Sequence, residues 1–183
     1  MKNYRLIASL ATLALLVAGY LMMPATMKAA DTPDSPEITK LLADARVQAI
    51  DLRHDAEDME MYTRSSYSPE SYAEKLELMK QHVNTTGKLL AKLRDAEANG
   101  SIWQKTAIWR VDPLLKELAE NTQRMITFFN ANKTKTHFPE FRDWVKANSD
   151  LAGNLETLIK DFLTYGDLKQ KLDRLGSRLE ITG

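Results

Sequence analysis

The feature that most constrains this chain is an apolar ladder at alternating steps of three and four: Ile108, Val111, Leu115, Leu118, Thr122, Met125 and Phe129. That spacing keeps one face of an α-helix apolar over about six turns. A helix of this kind gains most of its stability from whatever covers the face, so the flanking chain must supply partners. Its start is well specified. Asn99-Gly100 is expected to close the preceding helix, with the glycine in the left-handed backbone of a C-terminal cap. Ser101-Ile102-Trp103-Gln104 then fits the S-x-x-Q capping box, so two helices meet at a tight hairpin. Pro113 interrupts the ladder by removing a backbone donor and crowding the carbonyl of Trp109. It implies either a kink or a restart with Asp112 as N-cap and Pro113 at the first helical position.

Three further segments carry the same repeat. The first begins near Glu37, with Ser35 as cap and Pro36 at the first position, and has the seam Ile38, Leu42, Ala45, Ala49, Leu52, Ala56 and Met59. The second opens at Ser68-Pro69 and has the seam Tyr72, Leu76, Met79, Val83, Thr86, Leu90 and Leu93. The last opens at Phe138-Pro139 and has the seam Phe141, Val145, Asn148, Ala152, Leu155, Ile159 and Phe162. Each of the four is about 28 to 31 residues, or roughly 45 Å. Matched lengths and short loops predict an all-α fold, an antiparallel up-down-up-down four-helix bundle over residues 37–165. Thr86, Thr122 and Asn148 read as polar seam positions that fix register. Glu120 with Arg124 and Glu156 with Lys160 have the spacing of exposed ion pairs.

At Tyr165-Gly166-Asp167 the register breaks, and residues 166–183 read as an extra C-terminal amphipathic helix. Leu168, Leu172, Leu175 and Leu179 make its apolar stripe, among Lys169, Lys171, Arg174 and Arg178. A turn at Gly166 folds this element back beside the bundle; a straight run leaves the leucines beyond its end, as an oligomer or membrane contact. Folding back is the expected arrangement, because single domains cover their own apolar stripes. A candidate dock is a second stripe on the first helix, Ala43, Val47, Ile50, His54 and Met61, roughly 180° from the main seam at ~100° per residue. The candidate interaction surface therefore comprises Leu168, Leu172, Leu175 and Leu179 with Val47, Ile50 and Met61.

Residues 1–30 have the pattern of a targeting segment. Lys2 and Arg5 form a basic start, and Leu6 to Met23 is apolar and uncharged up to Pro24. Export to the periplasm or the extracellular space is expected. Ala25 to Ala30 contains no clean A-x-A, and the apolar run is close to the lower limit of a membrane span, roughly 17 residues. Both a cleaved signal peptide and a retained anchor in the inner membrane therefore stay open. Residues 31–36 are a Pro-containing linker. With no cysteine there is no lipobox, disulfide or c-type haem attachment, and stability must come from packing. Lys2, Arg5 and Lys28 are the only charges before Asp31, leaving 22 basic against 25 acidic residues, which argues against a nucleic-acid partner.

Helical bundles often hold metals or haem, so the polar residues are candidate ligands. A di-metal carboxylate site needs E-x-x-H on two helices, and none is present; the nearest string, Asp51-Leu52-Arg53-His54, is single and off the seam. No metal ligands are assigned. His54, His82, Thr122 and Asn148 fall at similar heights if the helices alternate in direction. His54 reads as a surface residue, His82 as a boundary residue bonding a neighbouring hydroxyl or amide, and His137 as a loop residue. The alternative is a haem b held by His82 with Met79, Met125 being a further methionine of the right type. Methionine at helical spacing is far more often core. Trp103, Trp109 and Trp144 read as anchors at the bundle ends. No nucleophile arrangement, phosphate loop or acid–base pair stands out, so no catalytic residue is assigned.

At Ile102-Trp103-Gln104, His82-Val83-Asn84 and Asp112-Pro113-Leu114-Leu115-Lys116-Glu117-Leu118-Ala119-Glu120-Asn121-Thr122, the chain resembles a group of uncharacterised exported bacterial helical proteins. The likeness covers most of the chain after the targeting segment and brings no activity with it. The architecture is also similar to that of periplasmic four-helix cytochromes, but C-x-x-C-H is absent. The expectation is a non-enzymatic exported bundle that acts through protein or envelope contacts, its partner a second protein or a second copy. The alternative is a periplasmic haem- or metal-binding bundle.

Overall fold

The computed structural model describes residues 32–65, 67–133, 136 and 138–181. The targeting or anchor segment expected over 1–30, the first residue of the linker, and His137 lie outside the described residues. The described chain is all-helical, with four long helices: α1 (Pro36–Tyr62), α2 (Pro69–Ala96), α3 (Ile102–Ala131) and α4 (Pro139–Arg178). A short 3-10 turn, Glu97–Asn99, follows α2. Helix starts follow local chemistry. Ser35 and Ser68 accept from the amides of Ile38 and Ser71, and proline opens α1, α2 and α4, where its missing donor costs nothing.

Helix α1 packs on α2 and α4, and α3 packs on the same two. All the expected seam residues are buried except Phe162, which is half-buried against the core. Each large apolar side chain so covered contributes about 1.5–3 kcal/mol. Asn148 and Thr122 meet inside this core, with Asn148 Nδ2 donating to Thr122 Oγ1 at 2.8 Å. At one end Tyr72 packs against Tyr62, Phe129 and Phe141, and Phe128 packs against Phe141 and Trp144.

At the opposite end a single amide ties two helix starts together. Gln104, fully buried, accepts through Oε1 from Ser101 N (3.1 Å) and Ser35 N (2.9 Å), and donates through Nε2 to Ser35 O (2.8 Å) and Thr39 Oγ1 (3.0 Å). All four of its hydrogen-bonding positions are used. The capping box is thus present, with the Gln104 arm well formed; Ser101 Oγ is buried and makes no full hydrogen bond.

Three expectations are corrected, and one alternative is narrowed. Gly100 is not left-handed, since its φ is −84°; what requires glycine there is Ile38, whose Cδ1 lies 2.8 Å from where a Cβ would stand. Of the two readings of Pro113 the restart is excluded: α3 continues through it, and Asp112 serves as an ion partner of Arg94 and Lys116 (2.7 Å) instead of a cap. Glu156 is not an exposed partner of Lys160. It is buried, and pairs across to α1 with Arg53 Nη1 (3.0 Å) and Arg46 Nη2 (3.4 Å). Finally, the separate folded-back helix expected from Gly166 onward is not formed, because α4 runs unbroken from Pro139 to Arg178. Gly166 is in ordinary helical backbone, and its missing side chain makes room for the Trp103 ring, whose Cζ2 is 2.6 Å from an added Cβ.

Candidate interaction surface

Trp103 marks where α4 leaves the core. Its ring, mostly buried, lies over Gly166 and beside Tyr165 at 6.3 Å between centroids, and its Nε1 donates to Asp34 Oδ1 at 2.7 Å. Gly166 is the last buried residue of α4. From Asp167 onward the helix overhangs for roughly 18 Å at 1.5 Å per residue, with almost every side chain exposed.

The overhang is held by its own bonds. Lys169 Nζ pairs with Asp173 Oδ2 at 3.3 Å, Arg174 donates to Gln170, and Ser177 Oγ donates to Asp173 O at 2.9 Å. Its end is closed by a Schellman motif. Ile181 N donates to Gly176 O (3.0 Å) and Glu180 N to Ser177 O (3.4 Å), with Glu180 at φ 55°, in the left-handed position usually given to glycine. Such a cap defines a finished helix end.

Along this helix Leu168, Leu172, Leu175 and Leu179 are 59, 69, 43 and 61% exposed. At about 100° per residue their stripe is centred roughly 180° from the face that carries Phe141, Asn148, Leu155 and Gly166. It therefore does not continue the core seam; it is a new face on the outer side. At the root of the overhang a groove of about 360 Å³ lies between Pro36, Lys40 and Ala43 on one side and Trp103, Leu163 and Gly166 on the other. The second stripe expected on α1 is not covered by this helix. Val47 and Met61 are 54 and 56% exposed, His54 is exposed, and Ile50 is half-buried. The two stripes are not brought together.

The candidate haem pair is placed differently by the fold. Met79 is fully buried in the core. His82 is at the α1–α2 boundary, with Nδ1 3.2 Å from Gln48 Oε1 and Nε2 3.3 Å from Asp55 Oδ2, the latter contact off-line for a full hydrogen bond. An iron or other metal at either ring nitrogen would displace one of these oxygens. Met125 is also fully buried, Trp109 is 77% exposed and Trp144 half-buried. Among the described residues no three His, Asp or Glu side chains converge as a metal shell.

Two polar clusters were not found from sequence. Asp55 Oδ1 and Asp58 Oδ2 both accept from Lys75 Nζ, at 3.0 and 2.9 Å, beside His82. The carboxylates hold the Lys75 ammonium: burial opposes its charge, but the bonds to Asp58 and Asp55 outweigh this and raise its pKa. The other cluster is Glu156 with Arg46 and Arg53. In each case the acid immediately adjoins a seam residue, Ala56 or Leu155, and that adjacency is the one signal that pointed to it. No described helix is long and apolar enough to cross a membrane. No family model matches the chain, and neither a curated protein nor a solved structure is significantly similar to it.

Proposed function

We propose that this is an exported, non-enzymatic antiparallel four-helix bundle that acts through contact, with the overhang of α4 as its working surface. Support for the antiparallel up-down-up-down arrangement comes from which ends meet. Tyr62 near the end of α1 packs on Tyr72 at the start of α2, Phe128 near the end of α3 on Phe141 at the start of α4, and Trp103 at the start of α3 on Tyr165 far along α4. Export to the periplasm or beyond is supported by the basic start and apolar run of residues 2–23.

The observation that carries the contact reading is the row of exposed leucines on a capped helix beyond the core. A chain that needed α4 only to complete its bundle could end near Gly166. Residues beyond it keep a regular apolar stripe at four-three spacing, at a cost in solubility that a contact surface accounts for. The test is a photo-cross-linking residue in place of Leu172 in the full chain, expressed in an exporting cell. Adducts to protein or lipid are expected, and Leu168→Gln with Leu175→Gln should abolish them. A folded protein that gives no adduct at 172 would overturn the reading.

A further inference from the structure

We infer that the occupant of the overhang is the interface of an anionic lipid bilayer, with Leu168, Leu172, Leu175 and Leu179 among the acyl chains and Lys169, Lys171 and Arg178 at headgroup level. The inference rests on the overhang being a contact surface and names what it contacts.

Charge placement comes first. At about 100° per residue, Lys169, Lys171 and Arg178 lie roughly 70–90° from the centre of the leucine stripe, at its two edges, whereas Asp167 and Asp173 lie further round. Long basic stems at the edge of an apolar face can reach up to headgroups while the leucines sink, the arrangement of an interfacial helix. The same outer sector of α4 within the bundle carries Asp143, Asp150 and Asp161, all exposed. Lys146 pairs with Asp150 there at 2.8 Å; the sector carries no row of large apolar residues to sink among acyl chains, so the contact is confined to the overhang.

A second copy fits less well. Two overhangs packed antiparallel, leucine on leucine, would set Lys171 against Arg178 of the other copy twice, and packed parallel they would bring the Asp161 faces together. The leucine row spans fewer than two heptads, and the stretch back to Asp161 fewer than three, against roughly three or four that sustain a coiled coil. A bilayer has no such length requirement.

The chain also arrives at the correct end. Asp34 is held by Trp103, which lies on Gly166, so the polypeptide joins the fold where α4 leaves it. The uncharged run Leu6 to Met23 is separated from Asp34 by Pro24 to Pro33, which spans at most roughly 35 Å. A membrane engaged by that run is within reach of the overhang.

The chain has no cysteine, so one can be placed anywhere. Full-length protein with Leu172→Cys, carrying an environment-sensitive dye, is mixed with vesicles of phosphatidylcholine alone or with phosphatidylglycerol; Ser177→Cys reports the opposite face and Leu175→Cys repeats the seam position. The dye at 172 and 175 should enter an apolar environment on the phosphatidylglycerol vesicles while that at 177 stays in water. Replacing Lys171 and Arg178 by Glu should lower the docked fraction at least about fivefold per site. A dye at 172 that stays aqueous on anionic vesicles to which the chain is bound overturns the proposal, as does equal immersion on both kinds of vesicle. A dye already shielded before lipid is added, in a concentration-dependent way, identifies a second copy; that overturns the lipid occupant and leaves the contact reading standing.

Discussion

The two parts of α4 differ in fate although they are one helix. Between Phe141 and Gly166 the apolar seam Phe141, Val145, Ala152, Leu155 and Ile159 falls on one side and is buried; between Leu168 and Leu179 the leucines fall on the other and are exposed. In the first part the outer sector is Asp143, Lys146, Asp150, Asn154, Thr157 and Asp161, and in the second it is leucine. Helix formation is common to both, and angular phase separates them. A change of phase at Gly166 that looks like a turn in the sequence is, in three dimensions, a helix exchanging one set of neighbours for another.

Truncating one apolar residue in each part separates them most sharply. Ile159→Ala, in the core, should cost about 2–5 kcal/mol in urea unfolding, while Leu172→Ala should stay within about 0.5 kcal/mol. An equal cost at both sites would mean that the overhang is packed within the chain. The corresponding contrast for charge is next. Lys75, mostly buried, holds Asp55 and Asp58, so Lys75→Met should cost on the order of 2 kcal/mol by leaving Asp55 uncompensated, whereas Lys169→Met on the overhang should cost a few tenths. Because the folded pKa of Lys75 is raised, its stabilisation is complete below the ordinary lysine range and is lost as pH climbs through the folded value, above about pH 10. A parent protein whose unfolding midpoint falls no more steeply than that of Lys75→Met in that window would contradict the assignment.

Glycine marks the boundary between the two parts, and here the expected sign reverses with position. An added Cβ at Gly87, inside α2, meets nothing within 4 Å, so Gly87→Ala should stabilise by about 0.5–1 kcal/mol. At Gly166 the Cβ would stand 2.6 Å from Trp103, so Gly166→Ala should destabilise by about 1–3 kcal/mol despite the better helix former. Thermal unfolding of the pair decides it: stabilisation by both would mean that Trp103 does not rest on Gly166.

The seams were legible because a four-three repeat is a local signal with one geometric meaning. Caps at Ser35 and Ser68 were legible for the same reason. What the sequence hid depends on two elements at once. Gln104 reads as the third residue of a capping box; nothing along the chain says that Ser35, on a different helix, uses the other half of the same amide. Glu156 has the spacing of a surface pair with Lys160, and only the approach of α1 turns it toward Arg46 and Arg53. The glycines share one physical reason. Gly100 and Gly166 look like points of backbone freedom, yet both are demanded by a neighbouring side chain, Ile38 in one case and Trp103 in the other.

The smallest expected effect tests whether the overhang is a finished element. Glu180 occupies a left-handed cap position at which a side chain costs roughly 1 kcal/mol and glycine nothing. Glu180→Gly also removes a negative charge from a helix C-terminus, where it is unfavourable. Both effects favour the overhang, yet neither touches the core. Amide exchange at Leu179 and Ile181, whose N–H groups bond Leu175 and Gly176, should therefore slow several-fold, while the global unfolding midpoint stays put. If exchange is unchanged, the Schellman cap does not hold the end, and the leucine face would then lack a fixed shape before it meets its partner. If the global midpoint rises as well, the overhang and the bundle unfold as one unit, and the division of α4 at Gly166 has to be redrawn.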